Sequence, residues 1–151
     1  MALRGIYHVN MDTKGRLALP ARLRDRLPEN NSLVVTIDPQ NKCLLVYPVS
    51  EWENFENKLN ALPSLNKAVR RFQRLVLGYA SDIDLDGNGR MLLPSALREY
   101  SDLQKKIVVI GQAKRLEIWS ESLWLAERDL SLEEVANGDL ELPDEMLSLS
   151  L

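Results

Sequence analysis

The segment Asp12-Thr-Lys-Gly-Arg-Leu-Ala-Leu-Pro-Ala-Arg-Leu-Arg24 recurs 74 residues later as Asp86-Gly-Asn-Gly-Arg-Met-Leu-Leu-Pro-Ser-Ala-Leu-Arg98, with 7 of 13 positions identical. The likeness continues downstream. Leu33-Val-Val-Thr-Ile37 faces Ile107-Val-Val-Ile-Gly111, and Leu44 to Trp52 faces Leu116 to Trp124 at an offset of 72. The lost two residues fall between strands, where turns absorb a change in length. A duplication restricts the fold strongly. Each copy, at about 45 residues, is too short to bury a good core alone, so the two are expected to pack together.

Each copy has the same grammar. An apolar strand enters a turn at Asp-x-x-Gly, leaves as Arg-Leu-Ala-Leu or Arg-Met-Leu-Leu, and stops at Pro20 or Pro94. Proline suits the first turn of a helix, where its missing N–H is not needed, so short helices are predicted over 20–27 and 94–101. Two strands rich in β-branched residues follow. Ser50-x-x-Glu53 fits a capping box opening a helix with Val49, Trp52, Phe55, Leu59 and Leu62 at helical spacing. Between the copies, Leu65, Val69, Phe72, Val76 and Tyr79 make an apolar stripe, with Ala68 and Leu75 beside it. Lys67, Arg70, Arg71 and Arg74 take the other side. That basic face fits three roles: solvation, phosphate contact, or pairing with acids of a neighbouring subunit.

Charge is divided along the chain. Residues 1–116 hold 18 of 19 Lys/Arg and 12 of 22 Asp/Glu, a balance of +6, whereas residues 117–151 hold one Arg and ten acids, a balance of −9. The net −3 thus averages a basic body and an acidic tail, which reads most simply as a solvated helix and end segment. Catalysis and metal binding find little material. One cysteine, Cys43, excludes an intrachain disulfide, and with the single His8 it falls short of a zinc ligand set. Cys43 reads as a packed or half-buried thiol and His8 as a half-buried strand residue. Gly87-Asn-Gly89 lacks the Lys-Ser/Thr that follows a phosphate loop. No enzyme activity, cofactor, metal or small-molecule substrate is expected. Neither a membrane span nor a secretory leader is expected, which places the chain in the cytoplasm.

The turns are the best candidate site. Asp12 can accept the N–H two residues on, and Gly15 supplies a positive φ, as Asn88-Gly89 does in the second copy. Arg16 and Arg90 then leave at the rim. A guanidinium aimed outward there can bridge guanine O6 and N7 or grip a phosphate. The same residues also fit a structural role, an Asp–Arg ion pair that pins a hairpin. Lys14 suits phosphate or guanine acceptors, whereas Asn88 can contact a base or simply hold the turn.

The paired Asp-x-x-Gly-Arg turns, each followed by an apolar strand ending in Pro, resemble the SpoVT-AbrB type of swapped-hairpin module. Two such modules joined by Val69-Arg-Arg-Phe-Gln-Arg-Leu-Val-Leu-Gly-Tyr-Ala80 resemble the MraZ family of bacterial transcriptional regulators. The resemblance implies a mainly β fold with flanking helices (α+β): a pseudo-twofold swapped-hairpin β-barrel with linker and C-terminal helices. It implies modules over 5–52 and 81–124, linker helices over 53–80 and an acidic segment over 125–151. The implied function is repression and autoregulation of a division and cell-wall gene cluster, by a homo-oligomeric ring bound to short direct repeats of promoter DNA. Location with the nucleoid follows. Carried over, the DNA-reading motif falls on Asp12, Lys14, Gly15 and Arg16, and on Asp86, Gly89 and Arg90. Asn88 stands where the first copy has Lys14, so the second turn is less basic. A ring-forming or antitoxin-like protein-interaction module without DNA readout is the alternative, kept open by the acidic, apolar segment 130–151.

Overall fold

A computed structural model describes residues 2–28 and 32–149. The duplication becomes a pseudo-twofold axis. The first copy supplies β1 (Leu3–Asn10), β2 (Arg16–Ala18), helix α1 (Ala21–Arg24), β3 (Ser32–Ile37) and β4 (Leu44–Pro48). Helices α2 (Val49–Asn60) and α3 (Lys67–Gly78) follow. The second copy repeats the series as β5 (Ser81–Asp84), β6 (Arg90–Leu92), α4 (Ser95–Tyr100), β7 (Lys106–Ala113) and β8 (Arg115–Ser120), before α5 (Glu121–Asn137).

Six strands form one antiparallel sheet in the order β1-β7-β8-β4-β3-β5, and β2 pairs with β6 in a separate two-stranded ribbon. Exchanging the copies reverses the sheet order onto itself. The axis passes where equivalent residues face each other, at Leu45 against Glu117 in the sheet and Leu17 against Met91 in the ribbon. The hairpins are swapped: β1 pairs with β7 of the second copy, and β5 with β3 of the first. Each copy therefore completes the other's sheet, which answers the shortage of core in a single copy.

Strand alternation sorts the core into two layers. Leu33, Val35, Ile37, Leu44 and Val46 point toward the ribbon and join Leu17, Leu19, Met91, Leu93, Ile107 and Ile118 in the main cluster. On the opposite face, Val34, Leu45 and Tyr47 meet Trp52 and Leu59 of α2 and Val76 of α3, with Phe55 stacked on Tyr47. Thr36 lies on that face too and donates to the Val76 carbonyl at 2.5 Å.

Several expectations need correction. The sheet is not closed as a barrel, because β1 and β5 each have a single neighbour in it and the ribbon covers the open core face instead. Pro20 and Pro94 precede their helices as extended N-caps, φ −53° and −57°, so the helices begin one residue later and end sooner than 20–27 and 94–101. Ser50 does not cap α2. The helix starts at Val49 directly after Pro48, which puts Ser50 inside the first turn. A side-chain cap forms instead at Asn66, whose Oδ1 accepts from the Ala68 and Val69 amides at 2.9 and 3.2 Å and opens α3. Only Val76 of the predicted α3 stripe is buried, and Leu65, Phe72 and Leu75 stay exposed. His8 is exposed rather than half-buried, with Nδ1 3.3 Å from Glu121 Oε2.

Residues 122–149 make a unit of their own. The α5 helix buries no side chain and gathers its apolar residues on no single face. Among the described residues, no helix is long and apolar enough to cross a membrane.

Candidate nucleic-acid interface

The two turns are built alike, bond for bond. Asp12 Oδ1 accepts the Lys14 and Arg16 amides, both at 2.9 Å, and Oδ2 accepts Arg16 Nε at 2.8 Å. Asp86 Oδ1 accepts the Asn88 and Arg90 amides at 2.8 and 3.0 Å, and Oδ2 accepts Arg90 Nε at 3.0 Å. The backbone amide of Arg16, then its guanidinium and the Lys14 amide, hold the Asp12 carboxyl below the usual aspartate range. The Arg90 amide leads the same effect on Asp86. Gly15 and Gly89 close the turns at φ +89° and +73°.

The ion pair and the outward aim therefore coexist. Each carboxylate takes only Nε, and among the described residues no partner is recorded for the terminal nitrogens of Arg16 or Arg90. A guanidinium held by one edge offers its other donors in a fixed direction, which is how a rigid fork reads guanine or phosphate. Arg16 and Arg90 lie on the outer face of the β2–β6 ribbon with Ala18 and Leu92, while Leu17 and Met91 face the core. A two-stranded ribbon is one of the elements the major groove admits. Lys14 and Asn88 are exposed at the two tips.

Arg24 and Arg98 belong to the site, although no role for them was read from the sequence. Arg98 Nε donates to the Leu93 carbonyl at 3.0 Å and lies over the other copy's turn, 2.6 Å from where a Gly15 Cβ would stand. Arg24 Nε donates to the Leu19 carbonyl at 3.1 Å and lies likewise over Gly89. Reciprocal backbone bonds, Leu19 N to Gly89 O at 3.0 Å and Leu93 N to Gly15 O at 2.9 Å, lock each turn to the other copy's strand. The signal was the identity of Arg24 and Arg98 in the repeat; their partners depend on the swap. The first tip thus gathers Lys14, Arg16 and Arg98 around Asp12, and the second Arg90 and Arg24 around Asp86.

Elsewhere, Asp38, Cys43 and Glu117 bring ligand-type atoms within 4.8 Å of one another. Their bonds are already made. The Cys43 thiol lies 3.6 Å from Asp38 Oδ2, and Glu117 Oε1 accepts Trp119 Nε1 at 2.9 Å. Burial, then the charges of Glu117 and Asp38, push the thiol pKa up, so Cys43 stays a protonated donor and not a thiolate ligand.

Comparison with known proteins fits the repeat. The family model described as "MraZ protein, putative antitoxin-like" matches residues 2–75 and again 76–137. The chain is 49% identical over 150 residues to the transcriptional regulator MraZ of Halorhodospira halophila, covering 98% of this chain and 99% of that protein. The chain belongs to the MraZ family. The same name is carried by relatives from Saccharophagus degradans, 50% identical over 97% of this chain and 98% of that protein, and from Legionella pneumophila, 47% identical over 98% and 99%. The two MraZ matches meet within the last turn of α3, between residues 75 and 76, and each contains one Asp-x-x-Gly-Arg turn.

Proposed function

We infer that this chain is a DNA-binding transcriptional regulator whose β2–β6 ribbon enters the major groove, with Arg16 and Arg90 reading bases and Lys14 gripping a phosphate. The observation that carries the reading is the pair of arginines on one exposed ribbon face, each held through Nε by its own aspartate. The clasp uses Nε alone, and the terminal nitrogens that it leaves aimed outward are what a reader needs. Asp12, Gly15, Asp86 and Gly89 form the turns, and Asn88 makes a neutral contact at the second tip. The name of the relatives supports the regulatory role.

The regulator represses its own division and cell-wall gene cluster, in the nucleoid, by occupying short direct repeats in the promoter as a homo-oligomeric ring. Two features support assembly. Leu62, Leu65, Phe72 and Leu75 are uncovered in the single chain. Nearby, Lys67, Arg70, Arg71 and Arg74 complement the nine acids between Glu121 and Glu145 in another copy. The function asks only for binding, so no enzyme chemistry or cofactor enters it.

A second reading, an antitoxin-like protein-interaction module, draws on the exposed Leu140, Leu142, Leu147 and Leu149 of the C-terminal segment. One experiment separates them. A labelled duplex from immediately upstream of the gene, with a shuffled duplex as control, is titrated with the protein in excess competitor DNA. The regulator retains the upstream duplex alone, and Arg16→Ala/Arg90→Ala loses that preference. Equal affinity for both duplexes would leave the interaction module standing.

A further inference from the structure

The ribbon is twofold in its backbone but not in its outward side chains. In the antiparallel register Arg16 pairs with Leu92, Leu17 with Met91, and Ala18 with Arg90. One end of the outer face therefore presents Arg16, Leu92 and the nearby tip residue Lys14, while the other presents Arg90, Ala18 and Asn88. Leu92 is the odd member. It is 56% exposed, paired across the ribbon with Arg16 and two residues along its strand from Arg90, whereas its neighbours Met91 and Leu93 are fully buried. The core does not need it, since strand alternation points it away from both clusters. An exposed leucine between two outward guanidiniums marks a surface whose partner is anionic at its edges and apolar in its floor. The major groove has that character, with phosphates along its walls and thymine methyl groups projecting from its floor.

We propose that Leu92 is a specificity-determining residue that packs on a thymine 5-methyl group and gives the ribbon one direction on its DNA box. The proposal rests on the DNA-binding reading above and adds to it. Arg16 and Arg90 stand two residues apart along the ladder, about 7 Å at roughly 3.4 Å per residue, close to two base-pair steps. Two equivalent ends would read a palindrome. With Leu92 and Lys14 at one end and Ala18 and Asn88 at the other, turning the protomer round places the leucine over a different base and the lysine over a different phosphate. An oriented protomer requires an oriented box, and a row of such boxes is a direct repeat.

The test replaces thymine by deoxyuridine, one position at a time, in the upstream duplex that the protein selects. The substitution removes only the methyl group. Wild-type affinity should fall about fourfold at one or two thymines, the effect of one methyl-sized apolar contact. Leu92→Ala should lose most of that sensitivity with an unchanged melting temperature, because the side chain is exposed. In Ala18→Leu/Leu92→Ala the sensitive position should move across the centre of the box. Identical responses of wild type and Leu92→Ala at every thymine overturn the proposal, as does sensitivity that stays in place in the exchange variant. A Leu92→Ala protein that changes oligomeric state while its uridine responses stay wild-type would assign Leu92 to contact between copies, which also overturns it. Failure of the wild type to select the upstream duplex sinks the broader DNA-binding reading instead.

Discussion

Arg16 performs two jobs with different atoms, and binding affinity and melting temperature read them separately. Nε serves the Asp12 turn, and the terminal nitrogens serve the partner. Arg16→Ala should weaken box binding by about 1–3 kcal/mol, the worth of a bidentate base contact, with little change in melting temperature. A fold that collapses while the surviving folded fraction binds normally would leave the arginine a clasp only. Lys14→Asn makes the first tip resemble the second and should lower the slope of log affinity against log salt by about 1, which a salt series measures directly. The aspartates add a pH signature. Their carboxyls sit below the usual aspartate range, so their contribution is fully present above the unfolded value and is lost as pH falls through the lower folded value. Amide NMR shifts of Arg16 and Arg90 should therefore hold steady through the ordinary aspartate range and move only at lower pH. Asp12→Asn, which keeps the Oδ1 acceptor and removes the charge, should abolish that movement at Arg16 alone. These roles were partly legible beforehand: Asp-x-x-Gly-Arg named its own turn, because the bonds involved are local. Which guanidinium edge faces outward was not, since a spacing of four residues does not choose between Nε and a terminal nitrogen.

At the scale of elements, periodicity finds strands but does not name their neighbours. Val34 and Val108 sit in equivalent β-branched runs, and either run can accept β1 or β5 as a partner. The swap entered only through the resemblance, and with it the placement of Arg24 and Arg98 over the opposite copy's glycine. The predicted cap at Ser50 failed for a local reason, since Pro48 already ended β4 and the helix had no room for another cap residue. Barrel closure failed for a longer-range one, because the ribbon buries the face that closure would have sealed. The swapped clasp can be measured. Gly15→Ala meets left-handed backbone strain of about 1–2 kcal/mol and also the Arg98 side chain. In thermodynamic cycles, Gly15→Ala and Arg98→Ala should couple by at least about 0.5 kcal/mol, whereas Gly15→Ala and Arg24→Ala, with no shared contact, should add. The opposite pattern would place each arginine over its own copy's turn and contradict the interleaved topology.

For the whole molecule, the deciding magnitude is how little cation one protomer offers. The net charge is −3, and the ribbon presents Lys14, Arg16 and Arg90, with Arg98 and Arg24 packed against the turn glycines Gly15 and Gly89. Phosphate contacts on that scale give a non-specific dissociation constant of about 10⁻⁴–10⁻⁶ M. Tight promoter occupancy then requires several ribbons at once. A second protomer tethered in the same assembly meets the next box at about millimolar effective concentration, and avidity adds about 10²–10⁴. Oriented ribbons related by rotation meet boxes that all point the same way, as in a cyclic assembly with head-to-tail contacts. Asp substitutions at Phe72 and Leu75, exposed side chains of α3, put charge into the surface proposed to meet another copy while leaving the ribbon intact. Light scattering should then report a monomer. Its affinity for a single box should match that of a wild-type ribbon, and its affinity for a multi-box promoter should fall by about two to four orders of magnitude. A monomer that holds the multi-box promoter as tightly as the wild-type protein removes avidity from the mechanism. A variant that stays assembled places the contact between copies elsewhere than α3.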